Sequence, residues 1–209
     1  MTPHDEPRMS HFAPPPFPSI QPTLQTVRLI LRPLTGADAP AVQLLASDRE
    51  VARSTLNIPH PYPEGAAAAW IRTHPAAFAH GDLAVFGIEL QQGGELVGTC
   101  GLRLEPGHSR AEIGYWIGRD FWGRGVATEA ARAVVEYAFA HLQLRRVHAH
   151  HYSRNPASGA VLAKLGMRHE GRMREHVLKW GVHEDIDLYG ILRDEFTGGA
   201  ILASTPALR

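Results

Sequence analysis

The 209-residue chain has a single cysteine, Cys100, so an intramolecular disulfide framework is excluded and a reduced, cytoplasmic setting is the expectation. It carries no net charge, with 21 Lys and Arg against 21 Asp and Glu. That balance removes the long-range field that holds nucleic acid or anionic lipid by electrostatics alone. No stretch approaches the roughly 18 apolar residues of a spanning helix. The first residues also lack the basic-then-apolar order of a secretory signal. A protein without direct nucleic-acid or membrane partners is therefore expected. What the chain does have is 44 % hydrophobic residues over a length that suits one globular domain. Such a domain buries roughly 70 % of the surface its unfolded form exposes, enough for a core without structural metal.

Residues 1–22 differ from the rest. Pro3, Pro7, Pro14, Pro15, Pro16, Pro18 and Pro22 leave few backbone donors and favour extended conformations. The segment reads as a flexible tail or as packing against the domain surface, with a proline-recognition ligand as the alternative. The domain is expected over 23–196, and 197–209 reads as a C-terminal tail.

Val27, Leu29 and Leu31 alternate with Arg28, Ile30 and Arg32, the pattern of a half-buried strand closed by Pro33. Asp38 is placed to cap a helix carrying Val42, Leu44 and Leu45, and a second helix runs from Glu64 to Ile71. Between them IPHPYP forms a shaped loop. From Leu83 the period changes to two, through LAVFGIEL, LVGTCGLRLE and AEIGYWIG, three strands joined by short turns into an antiparallel meander. A long helix follows with Ala127, Ala131, Val134, Val135, Ala138, Phe139 and Leu142 on one stripe. RVHAHHY is a strand. Asn155 and Pro156 start a further helix that Gly166 ends, and strands near 172–178 and 185–192 finish the domain. This order predicts an α+β fold around one mixed, mostly antiparallel twisted sheet flanked by helices.

The junction FWGRGVATEA is the most informative stretch. Gly123 and Gly125 allow close approach of a ligand, and unpaired amides at a helix N-terminus favour an anion. Arg124 adds positive charge, so a polyphosphate is the natural occupant. No Lys-Ser or Lys-Thr pair follows the glycines, and the spacing of a dinucleotide fingerprint is absent. A purely structural strand-to-helix turn remains the alternative.

GYWIGRDFWGRGVATEA resembles the acetyl-CoA pyrophosphate loop of the GNAT acyltransferase superfamily, whose pattern is Gln/Arg-x-x-Gly-x-Gly/Ala. Gly125 and Ala127 match its small positions, and Trp122 replaces the usual Gln or Arg. TVRLILRPL, NPASGAVLAKLGM and EGRMREHVLKWGVHEDIDLYGILRDEF are similar to the RimJ/RimL branch, which acetylates N-terminal amines of ribosomal proteins. The ordered set covers nearly the whole chain after residue 22. The resemblance implies a GNAT-like sheet splayed between its fourth and fifth strands, with acetyl-CoA as co-substrate in the gap. Backbone amides of Arg124, Gly125, Val126, Ala127 and Thr128 would hold the pyrophosphate. The pantetheine arm would pair like a strand with the backbone around Trp116 and Ile117. Asn155 is read either as an N-cap or as a cofactor ligand, with Ser158 one turn on, near the thioester sulfur. Many relatives place a Tyr acid on this helix. Leu162 stands there, which leaves Ser158 or water to protonate the thiolate. A monomer or homodimer is compatible with the branch.

Acetyl transfer to an amine needs a neutral nucleophile, a polarised carbonyl and a proton for the departing sulfur. Glu112 is the candidate base, sharing a strand face with Gly114 and Trp116. Its alternative is a cross-strand ion pair with Arg103. An α-amine, with a pKa of about 7.7 to 8.0, is partly neutral at cytosolic pH, so a weak or water-relayed base suffices for a peptide N-terminus. A small amine is the competing acceptor, and a non-catalytic acyl-CoA sensor the competing class. Glu175, His176 and Asp185 are further candidates for acceptor contact or base. His148 and His150 share one face of their strand and His151 the other. A two-histidine metal site is sterically possible, but no metal is expected, and His150 or His151 facing the acceptor is the better functional use. Trp70, Tyr115, Trp122 and Tyr152 could form the acceptor cleft, with His60 and Tyr62 closing over it.

Overall fold

The computed structural model describes residues 17–198 and the backbone of residues 202–204. Its sheet has nine strands in the order β7-β8-β6-β5-β4-β3-β2-β1-β9. In chain order these are β1 (Thr23–Gln25), β2 (Leu29–Pro33), β3 (Leu83–Leu90), β4 (Leu96–Glu105), β5 (Arg110–Ile117), β6 (Arg146–Tyr152), β7 (Arg168–Lys179), β8 (Val182–Leu192) and β9 (Leu202–Ser204). The helices are α1 (Ala39–Ala46), α2 (Arg49–Ser54), α3 (Ala66–Ala79), α4 (Val126–Ala140) and α5 (Pro156–Lys164). The meander β3–β4–β5 forms as its alternation predicts, and every sheet pairing is antiparallel except β5 with β6.

Alternation within the strands divides the interior in two. Ala84, Phe86 and Ile88 of β3 and Ala111, Ile113 and Ile117 of β5 face α4 and α5 in the main core. Leu34, Val42, Ala67, Ile71, Val85 and Leu96 make a smaller cluster under α1 and α3, with Tyr62, Trp70 and Trp116 against it. Buried side chains of this kind contribute about 1.5–3 kcal/mol each, so the α4 stripe is a large share of the stability.

Several expectations need correction. Val27 is 92 % exposed and precedes β2, because the chain turns at Thr26, whose amide donates to the Leu29 carbonyl and whose hydroxyl accepts from the Leu29 amide, both at 3.0 Å. Asp38 begins α1 without capping it. Its carboxylate turns back to the Arg32 guanidinium at 2.8 and 2.9 Å and accepts from the Thr35 amide at 2.7 Å. Leu44 points to solvent. The helix expected from Glu64 to Ile71 is α3, which starts at Ala66 and runs through Pro75 to Ala79, since Phe78 anchors the turn beyond the proline against Phe17, with ring centroids 4.9 Å apart.

Parts of both expected tails touch the domain. Pro3, Pro7, Pro14, Pro15 and Pro16 lie outside the described residues. Residues 17–22 pack onto the domain through Phe17 and through Gln21, whose Nε2 donates to the Val85 carbonyl at 2.7 Å. Residues 202–204, expected in a tail, pair with β1.

Candidate active site

The parallel β5–β6 ladder has only three residue pairs, Arg110 with Arg146, Ala111 with Val147 and Glu112 with His148. Beyond them the strands diverge while each stays paired on its outer side, β5 to β4 through Ile117 and β6 to β8 through Tyr152. The expected splay between the fourth and fifth strands is this gap, counted one higher because β1 precedes them. Backbone groups facing the gap have no sheet partner across it, and an extended ligand can supply one.

The glycine loop stands between β5 and α4. Gly125 has φ of 78° and is the residue before the first turn of α4. A side chain there would be strained and would press on the Arg28 guanidinium at 3.3 Å. None of the amides of Arg124, Gly125, Val126, Ala127 and Thr128 donates to an acceptor among the described residues. A Cβ added at Gly123 would meet nothing within 4 Å, so the loop is open as well as donor-rich. These features fit the pyrophosphate of a coenzyme. Arg28 shapes the loop and gave no functional signal in the sequence. It donates to Glu129 Oε2 at 2.7 Å and to the Arg124 carbonyl at 2.9 Å. Trp122 is an exposed flap whose Nε1 donates to the Ile117 carbonyl at 2.6 Å. That acceptor is therefore engaged by the protein itself.

Asn155 is an N-cap, its Oδ1 accepting from the Ser158 amide at 3.3 Å, while its two Nδ2 donors remain available. Ser158 in turn meets Tyr115. The phenol donates to the Ser158 carbonyl at 3.2 Å and lies 3.0 Å from Oγ. Burial pushes the Tyr115 hydroxyl above its ordinary pKa, so it stays protonated. Tyr115 sits on the α5 side of β5, opposite Glu112. A tyrosine thus does stand by Ser158, delivered by a strand where α5 offers Leu162.

A cavity of about 540 Å³ spans the gap, with Ile113, Tyr115, Ser158 and Leu162 among its lining on the α5 side. Tyr62, Trp70, Leu83, Val85 and Trp116 supply apolar wall, and Arg103, Glu112 and His150 supply charge and polarity. The alternation puts Glu112, Gly114 and Trp116 on one face as expected, and a Cβ on Gly114 would meet nothing within 4 Å. Tyr115, Tyr152 and Ser158 reach the same cavity through the splay. His60, His176 and Trp122 are not in its lining. The His60 ring lies 6.0 Å from Trp180, and His176 is exposed on β7. The expected Arg103–Glu112 pair forms at 2.5 Å, and His150 Nδ1 adds a contact at 2.6 Å. Burial raises the Glu112 carboxyl, but His150 and Arg103 outweigh it and hold the group down at about 2.

The outer wall is the loop after α2. Lys179, 7 % exposed, donates to the carbonyls of Leu56 at 3.1 Å and Ile58 at 2.8 Å. Arg154 Nη2 donates to the Arg53 carbonyl. No group of three or more His, Cys, Asp or Glu among the described residues is arranged for a metal ion. No helix among them is long and apolar enough to cross a membrane.

Comparison with known proteins agrees with this geometry. The sequence matches the Acetyltransferase (GNAT) domain over residues 28–168. It is 36 % identical over 173 residues to the uncharacterized N-acetyltransferase YoaA of Bacillus subtilis, covering 82 % of this chain and 97 % of that one. The ribosomal-protein-serine acetyltransferase of Escherichia coli is 30 % identical over 101 residues, 48 % of this chain and 56 % of that one. Mycobacterium smegmatis RimJ in complex with CoA-disulfide superposes with a TM-score of 0.73 at 28 % identity, over 84 % of this chain and 88 % of that one. The splayed sheet, the open amide loop and these relatives together make the chain a member of the GNAT acetyltransferase family, of RimJ/RimL type, and an acetyl-CoA-dependent N-acetyltransferase.

Proposed function

We propose that the acceptor is a protein N-terminal α-amine, of the kind a ribosomal protein presents, attacking the thioester directly in a ternary complex. The observation that carries this reading is the junction of two spaces. The donor-side gap between β5 and β6 meets the cavity at Gly114, where no side chain intervenes. Acetyl-CoA, when bound, supplies the acetyl group as a thioester. The amides of Arg124 to Thr128 hold the pyrophosphate, and the β5 backbone near Trp116 and Ile117 aligns the arm through groups other than the Ile117 carbonyl, which Trp122 occupies. Asn155 offers its free Nδ2 donors. Ser158, backed by Tyr115, gives a proton to the departing sulfur. Glu112 keeps its negative charge and stabilises positive charge developing beside it.

An apolar and aromatic wall with few charges suits one peptide residue entering amine first, and a site without a strong base suits an amine that is already partly neutral. The ribosomal substrate in the name of the Escherichia coli relative supports the same acceptor class. A small-molecule amine is the second reading, favoured by a cavity volume within the range of small-ligand pockets. A thiol-release assay comparing N-terminal peptides with amino acids, polyamines and amine drugs tests both. Faster turnover of peptides supports the proposal, and turnover confined to free small amines overturns it.

A further inference from the structure

We propose that His150, held by Glu112, is the group that takes the proton from the attacking amine, with Glu112 as its orienting carboxylate. The inference rests on reading the cavity as the acceptor site. Glu112 and His148 are the last pair of the β5–β6 ladder, so His150 lies on the first diverging stretch of β6. The two-residue period of β6 turns it to the same side as Glu112. Its ring spans the opening gap, with Nδ1 2.6 Å from Glu112 Oε1. The other carboxylate oxygen is taken by Arg103 at 2.5 Å. Glu112 therefore has both oxygens engaged by cationic or N–H donors, and removing a proton from an amine would require it to give up one of them.

His150 has no such obstacle. A carboxylate at Nδ1 selects the Nδ1–H tautomer and leaves the Nε2 lone pair free. Nε2 has no hydrogen-bond partner among the described residues, and the side chain is 32 % exposed in the cavity lining. The groups facing His150 can be enumerated from each element. β5 contributes Glu112, β4 contributes Arg103, and the outer loop contributes the Tyr62 phenol. Leu188 of β8, directly across, is uncharged. His148, two residues back on β6, is held neutral mainly by burial. The nearest full negative charge is that of Glu112, which stabilises the imidazolium once formed.

The step balances without another reactant. As the nitrogen–carbon bond forms, Nε2 of His150 accepts the proton the nitrogen sheds. As the carbon–sulfur bond breaks, its electron pair leaves with sulfur, which takes a proton from the Ser158 hydroxyl. Solvent returns the proton from His150 to Ser158, so the net change is one proton moved from nitrogen to sulfur.

The test is His150→Gln in the full chain, assayed on whichever amine the wild type turns over, with kcat/KM followed against pH. The expected result is a loss of about a hundredfold near neutral pH. The part of the profile that rises as an imidazole loses its proton should vanish, and acetyl-CoA affinity should be unchanged. Glu112→Gln should also lower kcat/KM while acetyl-CoA affinity is unchanged, because the ring loses its orienting carboxylate. As a readout independent of turnover, nitrogen NMR of labelled histidine should show neutral His150 protonated on Nδ1. An unchanged rate and profile in His150→Gln, or an Nε2–H tautomer, overturns the inference. If free amines replace peptides as substrates while His150→Gln still loses the pH step, the acceptor assignment fails and the role of His150 stands. A wild type inert toward every amine overturns both.

Discussion

Arg28 and Glu129, 101 positions apart in sequence, are joined by an ion pair at 2.6 Å that fixes the start of α4 to the chain just before β2. Glu129 also accepts from the Arg28 amide at 2.9 Å and the Thr26 hydroxyl at 2.6 Å. Burial raises the Glu129 carboxyl, but the hydrogen bonds from Thr26 and Arg28 outweigh it, so its pKa is lowered and its charge persists. Because Arg28 is half-exposed, removing it should cost the fold no more than about 1 kcal/mol. The loop it braces should lose order, so Arg28→Ala is expected to weaken acetyl-CoA binding by about tenfold, or 1.4 kcal/mol. Calorimetric titration with acetyl-CoA decides it, with unchanged affinity counting against the bracing role.

Gly114 offers a way to fill the acceptor cavity without disturbing the core. Nothing lies within 4 Å of the position its Cβ would take, and its φ is in no left-handed region. Gly114→Val should leave the melting temperature equal or slightly higher, since a strand glycine restrains the unfolded chain least. The acceptor KM should rise while acetyl-CoA still binds. Steady-state kinetics at saturating acetyl-CoA measures this directly.

Ser158→Ala and Tyr115→Phe should act on the same step. Each is expected to lower kcat with little change in acceptor KM, by up to about a hundredfold for the serine and less for the tyrosine. The double variant should fall no further than Ser158→Ala alone, because Tyr115 works through Ser158. Additive losses would show that the two groups act separately.

Lys179 controls the outer wall. Lys179→Met keeps the length of the side chain and removes both donors to the loop at Leu56 and Ile58. Hydrogen bonds from a charged donor are worth about 1.5–3 kcal/mol each, so a clear fall in melting temperature is expected. The acceptor KM should rise more than the acetyl-CoA dissociation constant, since Leu56 and Ile58 line the cavity.

His74 predicts how the fold responds to acid. It is 4 % exposed on α3, packs edge-on against Trp70 at 4.4 Å, and neither ring nitrogen has a hydrogen-bond partner among the described residues. Burial lowers its pKa from 6.5 to about 4. Between those values the unfolded chain binds a proton that the folded chain does not. Stability therefore falls as pH drops from 6.5 towards 4, by at most about 1.4 kcal/mol per pH unit from this residue. His74→Phe should flatten that part of a stability curve measured by urea unfolding from pH 7 to pH 4.

Long elements were legible because their periodicity is written in residues that face one way. β3, β4, β6 and α4 follow the apolar pattern closely, and the glycines and N-terminal amides of the 122–128 loop mark themselves. Short edge pairings were not legible. β1 and β9 have three residues each and are stabilised by a partner far away in sequence. α3 outran its expected end because the packing of Phe78 overrides the local effect of Pro75. At the candidate site, the strand face of Glu112 could be read from alternation, while Ser158 entered only through the family resemblance. The reach of Tyr115 to Ser158, of His150 to Glu112, and of Lys179 to the Leu56 loop depends on how three separate elements splay, which no local pattern encodes.

The three-rung ladder between β5 and β6 divides the sheet mechanically. β6, β8 and β7, with α5, form a wing whose only main-chain sheet link to the other six strands among the described residues is that short seam, beside the shared main core and side-chain ties such as those of Lys179 and Arg154. A ligand strand laid in the gap would bridge the two sections with main-chain hydrogen bonds. The free protein should therefore breathe along this seam, with amide exchange in β6 faster than in β4, and acetyl-CoA should act as the missing fastener that makes the two sections melt as one.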